Sequence, residues 1–356
     1  MAPHLEPRGT SECIFNLARE LRRRDVSVAV FCAPGPVLEM FRREKVPVRT
    51  FEHMEGMRLR FAEKRTLLRA VEEFSPQLVH GHTIRVASAL KLLRRRIAAP
   101  QVLTLHWLPK ADRAARRNLR ALDGIIASTQ SVREGLVNRC GVEKQKVKVI
   151  ANGIDLDRLA RRQMASVFRA GVPAVGSLGP IEEQRGHELF VKAAALIVKT
   201  GTPVQFVVAG QGDELPGIRK LVRNLGLQHE VTIAPDFATY ADVLDALDIV
   251  VQSSQVDVSG LSILEAMGCG RPVIAFNTGT ACEIIEDGRT GKLVPKGDVE
   301  ALAAAIMHLL QNREEAHQMA HNARDAVRER FDIRNTAAET LDYYRDILAA
   351  SEIPSA

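Results

Sequence analysis

One segment in the second half of the chain, residues 249–276, constrains the possible folds more than any other stretch. It begins with an apolar run at Ile249–Gln252 that predicts a buried parallel strand, and it ends with a second apolar run at 272–276. Between these runs, Gly260 precedes an apolar pattern with the spacing of a helix. A glycine turn that joins a strand to a helix favours a parallel sheet covered by helices.

Two carboxylates lie on either side of this glycine turn, eight positions apart in the sequence. Asp257 precedes Gly260, and Glu265 follows it inside the predicted helix. The amino end of a helix carries unpaired N–H donors and a partial positive charge, and both favour a bound anion. Gly260 has no Cβ, so an anion can approach the backbone closely. We therefore predict a phosphate-binding turn at Ser259 and Gly260.

The rest of the chain alternates short apolar runs with longer amphipathic stretches, a pattern typical of parallel sheets flanked by helices. Six strands are predicted in the first half, at residues 26–31, 46–50, 78–80, 101–105, 124–127 and 148–150. Six more are predicted in the second half, at residues 174–177, 205–209, 231–234, 249–252, 272–276 and 292–294. Because Pro47 has no N–H to donate, its strand is predicted to lie at a sheet edge. The pattern predicts an α/β protein with two Rossmann-like lobes.

The length of the chain also indicates more than one domain. Its 356 residues exceed the roughly 250–300 that a single hydrophobic core supports. The charged segment 156–171 has no apolar run long enough for a core strand and is predicted to be the linker. We assign residues 1–160 to a first lobe, 161–330 to a second lobe and 331–356 to a terminal segment. That terminal segment has an apolar helix face made of Leu341, Tyr344, Ile347 and Leu348.

The beginning of the chain departs from the doubly wound pattern, in which a strand precedes the first glycine turn. Here the turn at Gly9 follows Met1 after only a few residues, and the first helix is predicted at 11–23. Residues 1–4 match the end of such a strand. We therefore expect about half a dozen further strand residues before Met1, through a misassigned start or a truncation. A sheet without a central strand exposes edges on both neighbours.

Composition argues against several classes of protein. No apolar run reaches the roughly 18 residues of a membrane-spanning helix, and no signal-peptide pattern is present at the start. The five cysteines are scattered and lack the spacing of a zinc site, which predicts reduced thiols and a cytoplasmic protein. Aromatic residues make up only 4% of the chain, which argues against nucleic-acid binding because bases stack on aromatic side chains.

Charge is distributed unevenly along the chain. Residues 1–160 hold 30 Lys and Arg against 17 Asp and Glu, a net charge of +13, whereas the remainder carries −7. The basic residues cluster at 22–24, 42–45, 94–96 and 113–120. Two interpretations stay open: the clusters are solvated helix faces, or they form a surface that docks on an anionic membrane. In the second case the protein is cytoplasmic and peripheral on the inner membrane face.

The motifs of the second half closely resemble those of the retaining glycosyltransferases of family four, in the GT-B superfamily. That family has Glu, seven residues, Glu-Ala-Met, and then a Gly-x-Pro-Val strand. Here Asp257 takes the first acidic position, Glu265 begins Glu-Ala-Met, and 270–273 supply Gly-Arg-Pro-Val. Asp257 is one methylene shorter than the usual Glu. The sequence 152–155, Asn-Gly-Ile-Asp, also resembles the motif that closes the family's first lobe. The likeness is strongest over 205–297.

The resemblance implies roles for particular residues in binding a nucleotide-sugar donor. Asp257 contacts the donor sugar, Glu265 fixes the ribose, and Arg185 holds the diphosphate where the family usually has Lys. His106, which follows a buried strand, matches the histidine that approaches the donor sugar. The family's companion arginine is replaced by Ser177. The remaining donor-binding positions are Gly9, Gly210, Phe237, Ser259, Gly260, Leu261 and Ser262.

His80 and His82 also follow a predicted strand, and their spacing of two could place both on one side of it. As metal ligands they lack an evident third partner, and the resemblance implies an enzyme that needs no metal and no cofactor. For His82 we favour a structural role or one in lining the substrate site. Gly210 and Gly212 do not continue into a dinucleotide fingerprint, which argues against NAD.

The resemblance therefore implies a GT-B fold with two lobes facing a central cleft and a last helix that crosses back to the first lobe. It implies transfer of a sugar, with retention, from a nucleoside diphosphate to a glycan, a lipid-linked acceptor or a small molecule, as in cell-envelope polysaccharide biosynthesis. Two alternatives stay open: a nucleotide-sugar 2-epimerase, and a non-catalytic relative that binds nucleotide sugar or lipid. Neither the sugar, the base nor the acceptor follows from the sequence.

Overall fold

The computed structural model describes residues 1, 9–35, 37–52, 61–160, 171–235, 243–256 and 259–352. These residues form two compact units, each with its own parallel strands and core. Unit 1 comprises Met1–Gly153 and Ile333–Ala356, and unit 2 comprises Ile154–Asp332. The chain therefore leaves unit 1, builds unit 2 and returns to unit 1.

All described strands of unit 1 run parallel, but they form two separate sheets. The strands are β1 (Val30–Cys32), β2 (Val48–Thr50), β3 (Val79–His82), β4 (Gln101–Leu105), β5 (Gly124–Ala127) and β6 (Val147–Val149). β1 pairs with β2 in one sheet, and β3, β4, β5 and β6 follow one another in the other. In the described part of the chain β2 has one neighbour, which confirms the edge position predicted from Pro47.

Before the chain enters unit 2, the described part of unit 1 contributes six helices that cover these sheets. They are α1 (Thr10–Arg22), α2 (Leu38–Arg43), α3 (Phe61–Phe74), α4 (Ala87–Leu93), α5 (Arg113–Arg120) and α6 (Gln130–Asn138). Two of them begin with a side-chain cap. Asp112 accepts a hydrogen bond from the Ala115 amide, 2.7 Å away, and Thr129 accepts one from the Val132 amide at 3.1 Å. Such caps satisfy backbone donors that the first turn of a helix leaves unpaired.

Unit 2 is built on one six-stranded parallel sheet. Its strands are β7 (Ala174–Leu178), β8 (Gln205–Ala209), β9 (Val231–Ala234), β10 (Ile249–Gln252), β11 (Val273–Phe276) and β12 (Lys292–Val294). From one edge to the other the order is β9, β8, β7, β10, β11, β12, which is the order of a doubly wound α/β sheet. Phe190, Phe206 and Phe276 are fully buried in its core.

In the described part of unit 2 there are seven helices. They are α7 (Leu156–Ala160), α8 (His187–Val198), α9 (Leu215–Asn224), α10 (Leu261–Gly268), α11 (Gly279–Ile284), α12 (Val299–Gln311) and α13 (Arg313–Arg330). The segment predicted to be a linker thus begins with α7, which lies in unit 2, and residues 161–170 lie outside the described residues. In the part of the chain that the structure covers, no helix is long and apolar enough to cross a membrane.

The last helix, α14 (Ile333–Glu352), returns to unit 1. Tyr343, Tyr344 and Ile347 are buried in a cluster that includes Leu17 and Leu21 of α1. The Tyr343 hydroxyl also donates a hydrogen bond to the Lys146 carbonyl, 2.8 Å away. The apolar face predicted for this helix is therefore the face that packs on unit 1.

Candidate active site

Two loops of unit 2 meet at the carboxyl ends of β7 and β10, the central pair of the sheet. These neighbouring strands are where the strand order reverses. Ligands of open α/β sheets bind in the crevice at such a switch point. The loop after β7 carries Arg185, and the loop after β10 leads through Gly260 into α10. The fold therefore brings these two predicted site segments together.

The loop after β7 is anchored on both sides. The Ile181 amide donates to the Gln211 carbonyl at 2.7 Å, and the Ser253 hydroxyl donates to the Arg185 carbonyl at 3.3 Å. Gly186 follows in the left-handed region with φ 68°, and a Cβ there would lie 2.0 Å from the Ser253 carbonyl oxygen. The close approach of the two loops therefore requires glycine at this position. Arg185 itself is half-buried.

A buried serine and histidine support this loop from beneath. Ser177 lies at 3.0 Å from Nδ1 of His187, and Nε2 of the same ring lies 3.1 Å from the Pro180 carbonyl oxygen. A carbonyl can only accept, so Nε2 carries the proton and Nδ1 accepts from the Ser177 hydroxyl. Burial lowers the pKa of His187 to about 4; the Pro180 carbonyl opposes this shift and the Arg185 charge adds to it. The ring is therefore neutral near pH 7.

Gly260 opens α10, as the sequence predicted, in the left-handed conformation with φ 71°. A Cβ on Gly260 would lie 2.5 Å from Ile284 Cδ1 and 2.8 Å from Thr280 Cγ2. The glycine is therefore required by backbone conformation and by packing against α11. The reason predicted from the sequence was different: that Gly260 lets an anion approach the backbone closely. The space that a side chain would take at Gly260 is already filled by protein.

The first turns of α10 carry three predicted site residues. Leu261 is buried, and Ser262 donates a hydrogen bond to Gln252 Oε1 at 3.2 Å. Gln252 in turn donates through Nε2 to the Ser254 hydroxyl at 2.8 Å, so the end of β10 is held against the start of the helix. Glu265 is half-buried and lies one turn after Leu261, on the same side of the helix. Ser259, just before the helix, is also half-buried.

Gly210 and Gly212 bring the end of β8 against the loop after β7. Gly210 has φ 155°, and a Cβ there would lie 1.8 Å from the Gly179 carbonyl oxygen. The Gly179 amide donates to the Ala209 carbonyl at 3.0 Å. These glycines therefore permit two loops to run side by side, which places Gly210 close to the segment that carries Arg185.

His106 lies in unit 1, directly after β4, and is 2% exposed. Neither ring nitrogen has a partner with hydrogen-bond geometry among the described residues. Burial lowers the pKa of His106 to about 4, and the nearby side chain of Asn152 opposes the shift. The ring is therefore neutral near pH 7. Gly9, the other predicted site residue of unit 1, caps α1 with φ 65°.

The two histidines of β3, His80 and His82, contact neighbouring side chains of unit 1. His80 Nδ1 lies 2.5 Å from the Tyr344 hydroxyl and Nε2 lies 2.7 Å from the Thr104 hydroxyl. His82 stacks beside His80 with 4.2 Å between ring centroids. Burial is the main reason why the pKa of both imidazoles lies well below the usual value. The described residues contain no group of three or more side chains that could hold a metal ion.

Two predicted site residues, Asp257 and Phe237, lie outside the described residues. Conversely, the contacts of His187, Gln252 and Ser253 were not predicted from the sequence. The signal for His187 was its position directly after the glycine that ends the Arg185 loop. The signals for Gln252 and Ser253 were polar residues at the carboxyl end of a buried strand.

Two Rossmann-like units with parallel sheets define the GT-B class of fold. In unit 2, glycines allow neighbouring loops to pack closely together at the switch point of the sheet. Comparison with known families agrees with this assignment. A model of the family described as "Glycosyltransferase Family 4" matches residues 7–158, and one described as "Glycosyl transferases group 1" matches residues 163–326. The chain belongs to this family of GT-B glycosyltransferases.

Relatives of known name are also glycosyltransferases. Alpha-D-kanosaminyltransferase of Streptomyces kanamyceticus is 29% identical over 250 residues, which cover 67% of this chain and 64% of that relative. The chain thus spans less than two thirds of that protein. D-inositol 3-phosphate glycosyltransferase of Kineococcus radiotolerans is 29% identical over 401 aligned residues, covering 95% of this chain and 90% of the relative.

The fold has a close match among solved structures. Anabaena Alr3699/HepE, solved in complex with UDP-glucose, superposes with a TM-score of 0.83 at 22% sequence identity. The match covers 96% of this chain and all of that chain, 100%. At this level of identity the likeness concerns the fold.

Proposed function

We propose that the protein is a retaining, metal-independent glycosyltransferase whose second unit binds a nucleoside-diphosphate sugar. One observation carries the proposal: the loop with Arg185 contacts the loop that leads from β10 into α10, at the switch point of the unit 2 sheet. A cation and a helix terminus together suit a diphosphate. The complex of Anabaena Alr3699/HepE with UDP-glucose, on the same fold, supports a donor of this kind.

In this proposal the donor is held by charge and by backbone groups. Arg185 and the amides of 259–261 bind the diphosphate, while Glu265 accepts hydrogen bonds from the ribose. Gly210 lets the chain pass near the nucleotide. Phe237 and Asp257, outside the described residues, keep the roles that the resemblance implies: base contact for Phe237 and sugar contact for Asp257. In unit 1, His106 has the sugar-directed role and Gly9 the loop role.

Catalysis is then mainly electrostatic. As the bond to the sugar breaks, negative charge develops on the leaving nucleoside diphosphate, and the Arg185 guanidinium stabilises it. The acceptor attacks from the face that the leaving group vacates, so no protein nucleophile is needed. The neutral imidazole of His106 can donate or accept a hydrogen bond without adding a positive charge beside an oxocarbenium-like sugar. No cofactor takes part.

The acceptor that we propose is a glycan or a lipid-linked glycan of the cell envelope, with a small molecule as the alternative. A relative named poly(ribitol-phosphate) alpha-N-acetylglucosaminyltransferase, from Staphylococcus aureus, supports a polymer acceptor. Relatives named for D-inositol 3-phosphate support a small one. The epimerase alternative is not favoured, because the named relatives given above are glycosyltransferases.

Donor titration tests the proposal. Calorimetry with UDP, GDP and ADP, each with and without EDTA, should show one nucleoside diphosphate that binds equally well in both conditions. With the matching sugar nucleotide, diphosphate release should rise when an acceptor is added, and NMR should show an unchanged anomeric configuration. Interconversion of two sugar nucleotides without an acceptor would instead indicate an epimerase. Absence of binding to all three nucleotides would contradict the proposal.

A peripheral membrane contact is a separate part of the proposal. The basic clusters of unit 1 at 22–24, 42–45 and 94–96 are exposed, and each basic residue near an anionic surface contributes about 1 kcal/mol. Binding to anionic vesicles should therefore exceed binding to neutral ones. It should also weaken as salt shortens the screening length from about 10 Å at 0.1 M to about 3 Å at 1 M. Equal sedimentation with both vesicle types at low salt would favour a soluble acceptor.

A further inference from the structure

Helix α5 carries a stripe of arginines on its exposed side. The arginine stripe consists of Arg113, Arg116, Arg117 and Arg120, and all four side chains are exposed. They fall on one face because residues three or four apart are neighbours on a helix surface. Ala115 and Leu119 of the same helix are buried, and α5 has no acidic residue. Like charges at these spacings destabilise a helix, so the stripe is suited to an anionic partner.

The other basic clusters of unit 1 are partly neutralised by ion pairs. Each of the clusters at 22–24, 42–45 and 94–96 contains an arginine paired with a carboxylate. These contacts are Arg23 with Glu20, Arg43 with Glu39 and Arg94 with Asp123, at 2.7, 3.5 and 2.5 Å. In the part of the chain that the structure covers, no arginine of the stripe forms an ion pair. The stripe therefore keeps its full positive charge.

The positive surface continues from α5 to the end of α6. A Cβ on Gly141 would lie 2.2 Å from Nη2 of Arg120, so this guanidinium lies over the backbone that follows α6. Burial raises the pKa of the neighbouring Cys140 thiol, and the positive charges of three arginines oppose this shift: Arg116, Arg139 and Arg120. Cations of α5 and of the α6 terminus therefore lie close together.

An exposed tryptophan lies between β4 and the arginine stripe. Trp107 is the only tryptophan of the chain, and it is 42% exposed. An indole has an apolar body and one N–H donor, and tryptophan is enriched where a bilayer meets water. A soluble polyphosphate would engage the arginines alone, whereas a bilayer surface engages both the charges and the indole. The combination favours an anionic phospholipid surface.

This surface adjoins the carboxyl edge of the unit 1 sheet. β4 ends at Leu105, and the ring centroids of His106 and Trp107 are 6.2 Å apart. Because β4 and β5 are parallel, the helix that joins them starts from the same edge. A membrane bound at Trp107 and the first turns of α5 therefore lies beside the edge that holds His106.

We propose that Trp107 and the arginine stripe of α5 dock unit 1 on an anionic phospholipid bilayer. The indole lies in the headgroup region, and the guanidinium groups bind lipid phosphates. The inference rests on the membrane contact proposed above and assigns it to one surface. It also selects a lipid-linked glycan among the proposed acceptors, because the bilayer presents such an acceptor beside His106.

Charge-matched variants of the full chain test this docking surface. One variant combines three substitutions on α5: Arg113→Gln, Arg116→Gln and Arg117→Gln. Its control combines three on α9 of unit 2: Arg219→Gln, Lys220→Gln and Arg223→Gln. Each variant loses three exposed cations, so the two have the same net charge. Arg120 is retained because it packs over Gly141.

Sedimentation measures binding of these variants to vesicles of phosphatidylcholine and phosphatidylglycerol. Each cation near an anionic surface contributes about fivefold, so the α5 variant should bind roughly a hundredfold more weakly than the parent. The α9 control should bind as the parent does. Equal losses in the two variants would overturn the proposal, because only net charge would then matter.

Trp107 reports on the contact directly, since it is the only tryptophan of the chain. On anionic vesicles its fluorescence should shift to shorter wavelength, and lipids with brominated acyl chains should quench it. Trp107→Ser should bind these vesicles at least about fivefold more weakly, because binding grows with buried apolar area. Leu225→Ser is the control, since Leu225 is 41% exposed in unit 2. Unshifted fluorescence on bound vesicles, or equal binding of the two variants, would overturn the proposal.

Two further measurements separate this inference from its alternatives. Tight binding of inorganic polyphosphate, with unshifted Trp107 fluorescence on vesicles, would assign the stripe to a soluble polyanion and overturn the proposal. Calorimetry should give the parent, the α5 variant and the α9 variant the same affinity for the donor nucleotide. Donor binding by a parent protein that ignores anionic vesicles would contradict this surface and leave the proposed donor site standing.

Discussion

Ser177 donates a hydrogen bond to Nδ1 of His187 across 3.0 Å, and both side chains are buried. This contact joins the end of β7 to the first residue of α8, across the loop that carries Arg185. From the family resemblance, we propose that Ser177 takes the position of the family's phosphate-binding arginine. In this chain the position therefore supports the Arg185 loop from beneath, and Arg185 is the cation that the loop carries beside the β10 loop.

Replacing His187 with Leu should destabilise unit 2 and weaken donor binding. The Ser177 hydroxyl and the Pro180 carbonyl would lose their partner, at about 1–3 kcal/mol for each buried group left unpaired. Urea unfolding gives the free energy, and donor KM reports the position of the loop. His229→Asn is the control, since His229 is exposed. An unchanged KM in a stable His187→Leu protein would mean that the contact does not position the loop.

The titration of His187 predicts how stability depends on pH. Its pKa is about 4 in the folded protein against an ordinary value of about 6.5. The unfolded chain thus binds more protons between these values, so stability is full above about pH 6.5 and falls as the pH drops towards 4. The amide in His187→Gln does not titrate. Between pH 7 and pH 5, the free energy of unfolding of this variant should therefore fall by about 2 kcal/mol less than that of the parent protein. Identical losses would place the pH dependence on other groups.

Gly260→Ala should lower the stability of unit 2 by about 3 kcal/mol, because it adds backbone strain to a steric clash with Ile284 and Thr280. Gly297→Ala is a matched control: its φ is 79° and a Cβ there meets nothing within 4 Å. Strain alone should cost that variant about 1–2 kcal/mol. Chemical unfolding of both variants measures the difference, and equal losses would remove the packing argument.

Glu265→Gln should weaken nucleotide binding while unit 2 stays folded. Hydrogen bonds to a charged acceptor are worth about 1.5–3 kcal/mol, which corresponds to a loss of roughly ten- to a hundredfold in affinity. Calorimetry of the donor nucleotide measures the loss. Glu314→Gln, an exposed change on α13, should bind as the parent does. Unchanged affinity in Glu265→Gln would refute its role at the ribose.

Arg185→Ala should lower turnover about a hundredfold, by analogy with the loss of one preorganised donor to developing negative charge. Arg185→Lys should retain part of the activity, because it keeps the charge and loses the two-pronged geometry. The exposed Arg219 of α9 provides a control through Arg219→Ala. A drop in turnover of less than about threefold in Arg185→Ala, against the hundredfold expected, would indicate that other residues stabilise the leaving group.

The strands were predictable because buried parallel strands are continuous apolar runs. The predicted bounds of β4, β5, β8, β9, β10 and β12 agree with the structure. The first strand was placed at 26–31, but β1 is Val30–Cys32. Val26 and Val28 are apolar residues that line a cavity of unit 1 instead of pairing in a sheet. Apolar character predicts burial, and pairing also requires a neighbouring strand.

The segments that form the site could be predicted from the sequence, but most contacts between them could not. Gly260 opens a helix as expected, because a glycine between a strand and a helical pattern is a local signal. The fit of Gly186 against Ser253, and of Gly210 against Gly179, depends on residues far apart in the sequence. These close contacts depend on the order of the strands in the sheet. The periodicity of the sequence carries no information about that order. The same holds for His187, whose partners became evident only from the folded loop.

The return of α14 to unit 1 also determines the order in which the protein can be completed. A Cβ at Gly124 would lie 2.4 Å from Ile347 Cδ1, so this helix packs directly on β5. Residues 154–332 all leave the ribosome before α14 does. Unit 2 can therefore fold as a finished body during synthesis. Unit 1 starts first and is completed only after unit 2, and until α14 has been synthesised its apolar surface around β5 is available to chaperones.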